Sequence, residues 1–330
     1  MNEESRRKII IDTDPAMGTK GGDPEDCFAI MLAMNSPELE ILGITTVQGN
    51  VPVERGFSNA SYLVKELNQS IPVHTGRPGT FDKERNKKRE WLGQREQMEQ
   101  LTPIRPLEDD DKGAPLFIVE TCKENSKEIE LVTIGPLTNI AQALEIDPEL
   151  SKYVNKITMM GGAATVQGNV TPAAEFNIWA DPESAANVFK SGIPIRMVPL
   201  DVCHKTRFGR DQLNQIGENK HPFCQFVQKS VDPWLKINPN KEIIDQGLHL
   251  YDSLAMALSF MPELAYFKDA FVSVETAGEF TDGETVSEFN ESIMGQIFKP
   301  KPNSEIALDI DVEAFNSVFQ ERVLDFLIKL

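Results

Sequence analysis

Short apolar runs, several rich in β-branched residues, alternate along the chain with stretches whose apolar positions recur at helical spacing. KIIIDTD at Lys8, LEILGITTVQGN at Leu39, IPVHTG at Ile71, IELVTIG at Ile129, KITMMGG at Lys156 and IPIRMVPLDVC at Ile193 each end in polar or glycine residues. Such runs predict strands buried on both faces. Between them, CFAIMLAMNS, the segment from Val53 to Asn68, APLFIVETCKEN, LTNIAQALEIDP and DPESAANVFKSG predict helices, with Thr138 or Asn139 near the start of the fourth. A highly charged polar stretch from Arg77 to Lys112 interrupts the alternation. Strand alternating with helix implies an α/β fold: an open, mostly parallel sheet covered by helices on both faces. No internal repeat or linker divides the chain, so residues 1–330 are expected to form one large domain.

In open parallel sheets, ligands sit beyond the carboxyl ends of the strands. The residues that follow the apolar runs are therefore the ones to collect. They are Asp12 and Asp14, Asn50, the Ile134-Gly135-Pro136 turn, Gly161 and Gly162, and Asp201. Glu25 and Asp26 open the first helical segment, just after the first strand and a glycine-rich loop. The expected rim is rich in acids and amides and poor in Lys, Arg and Cys.

Charge narrows the partner classes. The net charge of −18 disfavours nucleic acid and anionic membrane surfaces, both of which need a basic face. No window approaches the ~20 apolar residues of a membrane span, and the polar N-terminus is not followed by the apolar region of a signal peptide. Four cysteines without CxxC spacing fit reduced thiols and a cytoplasmic location.

Carboxylates held close together repel, and their pKa values rise unless a cation neutralises them. A hard divalent ion such as calcium, bound through carboxylate, carbonyl and water oxygens, suits such a rim. The four dispersed histidines do not form a transition-metal set. A bound cation lowers the pKa of a coordinated water, and a neighbouring carboxylate can take its proton, so metal-assisted hydrolysis is the expected reaction class.

IIIDTDP, EDCFAI, TTVQGN, IGPLTNIA, MMGGA, AEFNIWADPESAA and YDSLAMA follow in that order from residue 8 to about residue 258. Together they resemble the inosine–uridine-preferring nucleoside hydrolase family. The resemblance implies the nucleoside hydrolase fold and hydrolysis of the N-glycosidic bond of ribonucleosides to free base and ribose, with a tightly bound Ca2+. It also implies a homodimer or homotetramer. By the same resemblance Asp14 is the general base toward a calcium-bound water and also a metal ligand. Asp26, Asp252 and the backbone carbonyl of Ile134 complete the metal set. Asp12, Glu25, Asn50, Asn169, Glu175 and Asn177 match groups on the ribose side. Each has a structural rival: Asn169 as a turn residue, Glu175 as a helix cap, Asp201 as a strand end outside the catalytic set.

Two departures from the family pattern stand out. Residues 16–24, AMGTKGGDP, separate Pro15 from the acids, and Glu25 replaces the first of an expected aspartate pair. The insertion is either a surface excursion or an influence on substrate access, and Asp23 is a substitute for Glu25 toward ribose. On the leaving-group side Tyr251 stands where a histidine is expected, with His249 two places earlier, and Trp91 lies in the KKREWLGQREQ loop. Aromatics at these places resemble the purine-preferring branch. The alternatives are a ribosylpyrimidine hydrolase, a non-catalytic nucleoside-binding member, and, from another class, a haloacid-dehalogenase-type phosphotransferase, whose later Thr and Lys motifs have no match here.

Overall fold

The computed structural model describes residues 6–76, 90, 93–95, 97–108, 113–237 and 247–330. Its nine strands are β1 (Arg7–Thr13), β2 (Leu39–Thr46), β3 (Val73–Thr75), β4 (Ile129–Thr133), β5 (Lys156–Met160), β6 (Ile195–Val198), β7 (Ala265–Val274), β8 (Thr285–Glu288) and β9 (Ser304–Ile310). They form one sheet in the order β3-β2-β1-β4-β5-β6-β9-β7-β8. Pairing is parallel from β3 through to β9, and antiparallel where β7 joins β9 and β8.

The side-chain period of two explains the apolar runs. Ile9 and Ile11 enter the core on one face, and Ile10 enters the core on the other. Likewise Val132, Met160 and Val198 serve the first face, while Leu131, Met159 and Met197 serve the second. A sheet buried on both sides has no polar face, which is why its strands read as continuous hydrophobic runs. Register then fixes where those runs end. Asp12 pairs with Thr45 and Thr133, Thr133 with Met159, and Met159 with Met197. The carboxyl ends of β1, β2, β4, β5 and β6 therefore reach one rim at nearly one level.

Three expectations change in detail. IPIRMVPLDVC is a strand only as far as Val198, and Leu200–Cys203 is a helical turn. Pro199 has no N–H to give to the ladder and closes the strand. The apolar runs mark no strand beyond residue 203, whereas β7, β8 and β9 extend the sheet there. Within the charged stretch, residues 98–102 run against the inserted loop, where Leu101 N–H donates to the Gly18 carbonyl (2.6 Å) and Lys20 N–H to the Glu99 carbonyl (2.8 Å). Trp91 lies outside the described residues. Among the described residues, no helix is long and apolar enough to cross a membrane, and all four cysteines are free and buried.

One buried carboxylate ties two helices at the edge of the rim. Asp181 caps the Pro182–Lys190 helix by accepting from Ser184 N–H at 3.2 Å, and it accepts from the Thr138 hydroxyl at 2.7 Å at the start of the Thr138–Ile146 helix. Asp181→Ala should cost about 1–2 kcal/mol through loss of the cap. Chemical denaturation followed by circular dichroism checks this: the unfolding midpoint should fall with an unchanged slope. An unchanged midpoint would rule out the coupling.

Candidate active site

The first strand delivers Asp12, Thr13 and Asp14, and all three are buried. Burial of charge requires donors, and the neighbouring elements supply them. Asp12 Oδ1 accepts from the Thr45 hydroxyl (2.5 Å) and from Asn139 Nδ2 (2.8 Å), and the same Asn139 amide reaches the Thr46 carbonyl (3.0 Å). Asp14 Oδ2 accepts from the backbone N–H of Asn50 at 2.6 Å. Asp26, at the start of the Glu25–Met34 helix, accepts through Oδ1 from the Thr13 hydroxyl (2.5 Å) and the Asp14 N–H (3.1 Å). Its Oδ2 lies 3.5 Å from the Asn50 amide. Asp14, Asp26 and Asn50 thus form one connected group at the junction of β1 and β2.

Backbone without side chains makes room for this group. A Cβ on Gly49 would collide with Asp14 Oδ2, and one on Gly135 would stand 2.9 Å from Asp14 Oδ1. Both positions require glycine because of this close approach.

Glu25 has a different setting. Its carboxylate accepts from the N–H of Asp252, from the N–H of Ser253 (3.1 Å) and from the Ser253 hydroxyl (2.5 Å). It caps the Tyr251–Phe260 helix from across the fold and so draws Asp252 to the rim. Both of its oxygens are engaged by protein donors.

The ribose-side candidates come from the loop after β5. Glu175 caps the Phe176–Ala180 helix, accepting from Asn177 N–H (2.9 Å) and Ile178 N–H (3.3 Å), and it also accepts from Gly162 N–H (2.9 Å). Asn177 donates to the carbonyls of Ile134 (3.2 Å) and Met160 (3.1 Å). Asn169 is exposed, and its Oδ1 accepts from Phe176 N–H at 3.0 Å, a turn-stabilising contact. Asp201 accepts from the N–H groups of Ala164 and Thr165, both at 2.8 Å, and so secures this loop from below.

On the leaving-group side Tyr251 is half-buried and stacks on His249, with ring centroids 5.2 Å apart and planes 13° apart. His204 meets Tyr251 edge-on at 6.0 Å. Burial, then the neighbouring Arg207 and His204, push His249 down to about 4. It is therefore neutral, not imidazolium, at pH 7.

The electrostatics of the rim follow from burial. Burial raises the pKa of Asp12 to about 7, against the hydrogen bonds from Asn139 and Thr45. Glu175 is likewise raised to about 7 by burial, opposed by the backbone N–H groups around it. Asp14 is pushed well above the usual carboxylate range, first by burial and then by the charge of Asp26. Asp252 is pushed up by burial and then by Asp26, Glu25, Asp23 and Asp14. Asp26 is also raised by burial.

Among the described residues, no three His, Cys, Asp or Glu side chains are already gathered to hold a metal ion. The donor chemistry nonetheless fits a hard cation. Asp14 Oδ1 and Asp12 Oδ2 are buried without any hydrogen-bond partner among the described residues. After burial, the Asp26 charge raises the proton affinity of Asp14 and of Asp252, and Ile134 carries a carbonyl on the same rim. An orphaned carboxylate oxygen among repelling acids is the environment that an oxygen-seeking cation relieves.

Sequence reasoning missed Asn139, Thr45 and Ser253, whose side chains hold Asp12 and Glu25. Asn139 had a usable signal, as an amide in the first turn of a helix that follows a parallel strand. Ser253 had none, since its partner lies 228 residues away.

The model of the family described as inosine-uridine preferring nucleoside hydrolase matches residues 9–317. A probable uridine nucleosidase 2 of Arabidopsis thaliana is 32% identical over 330 residues, covering 97% of this chain and 98% of that one. The non-specific ribonucleoside hydrolase RihC of Escherichia coli is 35% identical over 316 residues, covering 94% and 96%. A solved structure of a purine-preferring ribonucleoside hydrolase from Gardnerella vaginalis superposes with a TM-score of 0.83 at 29% identity, over 98% of this chain and 100% of that one. With matching residues spread from the first strand to the last helices, the chain belongs to the inosine–uridine-preferring nucleoside hydrolase family, whose members cleave N-glycosidic bonds of ribonucleosides.

Proposed function

We propose that this chain hydrolyses ribonucleosides with Asp14 as general base and calcium as its cofactor, purine nucleosides being slightly favoured. The observation that carries this reading is the Asp14 carboxylate. It is buried and pressed between two glycines, with one oxygen fixed by the Asn50 N–H and the other without a partner. Calcium held by Asp14, Asp26, Asp252 and the Ile134 carbonyl would neutralise the acids and lower the pKa of a coordinated water.

In the reaction the oxygen of water forms a bond to the anomeric carbon, and the bond from that carbon to the base nitrogen breaks with its electron pair going to the base. The proton lost by water passes to Asp14, and the departing base takes a proton from solvent. The Asn50 N–H fixes the Asp14 carboxylate in place to take that proton. Asp12 and Asn139 brace the strand end behind it. Glu175 and Asn177 fix the loop over the rim, and Asn50 supplies an amide beside Asp26.

Base preference rests on Tyr251, which offers a ring face stacked on His249. The name of the Gardnerella relative supports purines, and that of the Arabidopsis relative supports uridine as the rival.

Free ribose released from inosine, adenosine, guanosine, uridine and cytidine tests the reading. Ribose should appear with all or most of them, and faster from purine nucleosides. Uridine or cytidine exceeding inosine would select the pyrimidine reading, and no ribose from any of them would remove the hydrolase assignment. Asp14→Asn should lower kcat by at least about 10²-fold with a native circular dichroism spectrum; near-normal turnover would contradict its role as base. Gly49→Ala, which crowds the same carboxylate, should lower kcat by up to about 10²-fold. Unchanged kinetics in that variant would mean that the position of Asp14 is not set by its glycine walls.

A further inference from the structure

The antiparallel end of the sheet reaches the ribose side of the site. In the β7–β8 hairpin Val274 pairs with Thr285. Beyond that pair, Glu275 N–H donates to the Glu284 carbonyl (2.9 Å) and Gly283 N–H to the Glu275 carbonyl (2.8 Å), which closes the end of the hairpin. This end lies against the loop that carries Glu175 and Asn177. Glu284 forms an antiparallel bridge with Ala174, just before Glu175. Thr285 is buried, and its hydroxyl donates to the Ala163 carbonyl (2.7 Å) and accepts from the Ala163 N–H (2.9 Å). One side chain of β8 therefore fixes the peptides on both sides of Ala163.

Those peptides lead to the ribose-side candidates. Gly162, the preceding residue, donates its N–H to Glu175 Oε2 at 2.9 Å, and its carbonyl accepts from Leu200 N–H at 3.0 Å. Gly162 takes φ of +78°, and a Cβ on it would stand 2.9 Å from Thr285 Oγ1, so the turn is seated directly on the threonine. On the far side of Ala163, the N–H groups of Ala164 and Thr165 are held by Asp201. Glu175 in turn caps the short helix from which Asn177 reaches the Ile134 and Met160 carbonyls.

We propose that Thr285 is a positioning residue for the sugar: by fixing Ala163 it holds the Gly162 N–H against Glu175 and keeps Glu175 and Asn177 set for the ribose of a ribonucleoside. The inference rests on the ribonucleoside reading of the site and gives the antiparallel hairpin, whose threonine lies 122 residues from Ala163, a part in it. Without the hydroxyl, the N–H and carbonyl of Ala163 would be buried and unpaired, which is costly. The turn would then shift to recover partners, and Gly162 would move with it. Plain support of the fold differs in what is lost: it lowers stability and leaves the affinity of the folded protein for the sugar unchanged.

The test uses Thr285→Val, which removes the hydroxyl at nearly constant shape, and Thr285→Ser, which keeps it. On a ribonucleoside Thr285→Val should raise KM by about 10-fold with kcat little changed, and Thr285→Ser should bring KM back close to the wild-type value. In a Glu175→Gln background the same Thr285→Val change should alter KM by less than about 2-fold, because the residue it acts through is already lost. The inference is overturned if Thr285→Val lowers only the melting temperature, if Thr285→Ser is as impaired as Thr285→Val, or if the Thr285 and Glu175 effects multiply in the double variant. Calorimetric titration with ribose keeps this question apart from turnover. Weaker ribose binding by Thr285→Val than by the wild type upholds the inference even if no nucleoside is cleaved, and equal affinity overturns it. Absence of cleavage alone would count against the hydrolase reading and not against Thr285. A wild type that neither cleaves nucleosides nor binds ribose would remove both.

Discussion

Mutual repulsion among buried carboxylates is the constraint on which the rest of this structure depends. Asp12, Asp14, Glu25, Asp26 and Asp252 come from three separate segments and are all buried at one rim of the sheet. An isolated buried carboxylate is costly, and several in one place cost more, so they persist only where donors or a cation offset the charge. Most of the donors are backbone N–H groups and short hydroxyls: Asn50, Asp14, Asp252 and Ser253 through their amides, Thr13, Thr45 and Ser253 through their hydroxyls. No lysine or arginine forms an ion pair with these five acids among the described residues, so their negative charge is left for a ligand to meet.

The fold makes that concentration of charge reproducible. Parallel register brings five strand ends level, and glycines at 49 and 135 let the neighbouring turns close on Asp14 from two sides. The Glu25–Met34 and Tyr251–Phe260 helices both begin at the rim, so their positive ends point toward the acids. The contact of Glu25 with Asp252 and Ser253 locks those two helix starts together. A rim assembled from rigid strands and helix starts can hold unfavourable charge that a loop could not.

How much of this is legible in the sequence depends on the range of the interaction. The parallel half of the sheet reads from its β-branched runs, because burial on both faces leaves only apolar residues in them. Asp12, Asp14 and Asp26 read as a group because strand ends in such sheets share a rim. β7 is harder: AYFKDAFVSV mixes exposed and buried positions near the edge of the sheet, and no continuous apolar run marks it. The role of Glu25 is not local either, since its partners lie more than 200 residues away and only the folded chain brings them to it. The inserted loop shows its glycines in the sequence, yet the strap from residues 98–102 that covers it comes from a charged stretch with no periodic signal.

The cation proposed to offset the repulsion at this rim is tested directly by a melting experiment. Acids whose folded pKa lies above the ordinary value near 4 bind more protons in the folded state, so they lower stability as pH rises through that interval. Asp12 and Glu175, raised to about 7, place the interval between about pH 4 and 7. Burial also pushes up Asp14, Asp26 and Asp252, and a cation that takes the place of their protons binds more tightly as pH rises and stabilises the fold by mass action. Melting temperatures of metal-free and calcium-saturated protein should therefore differ, with a gap that widens from pH 5 to pH 8. The same melting temperature with and without calcium at every pH, or a gap that narrows as pH rises, would contradict the account.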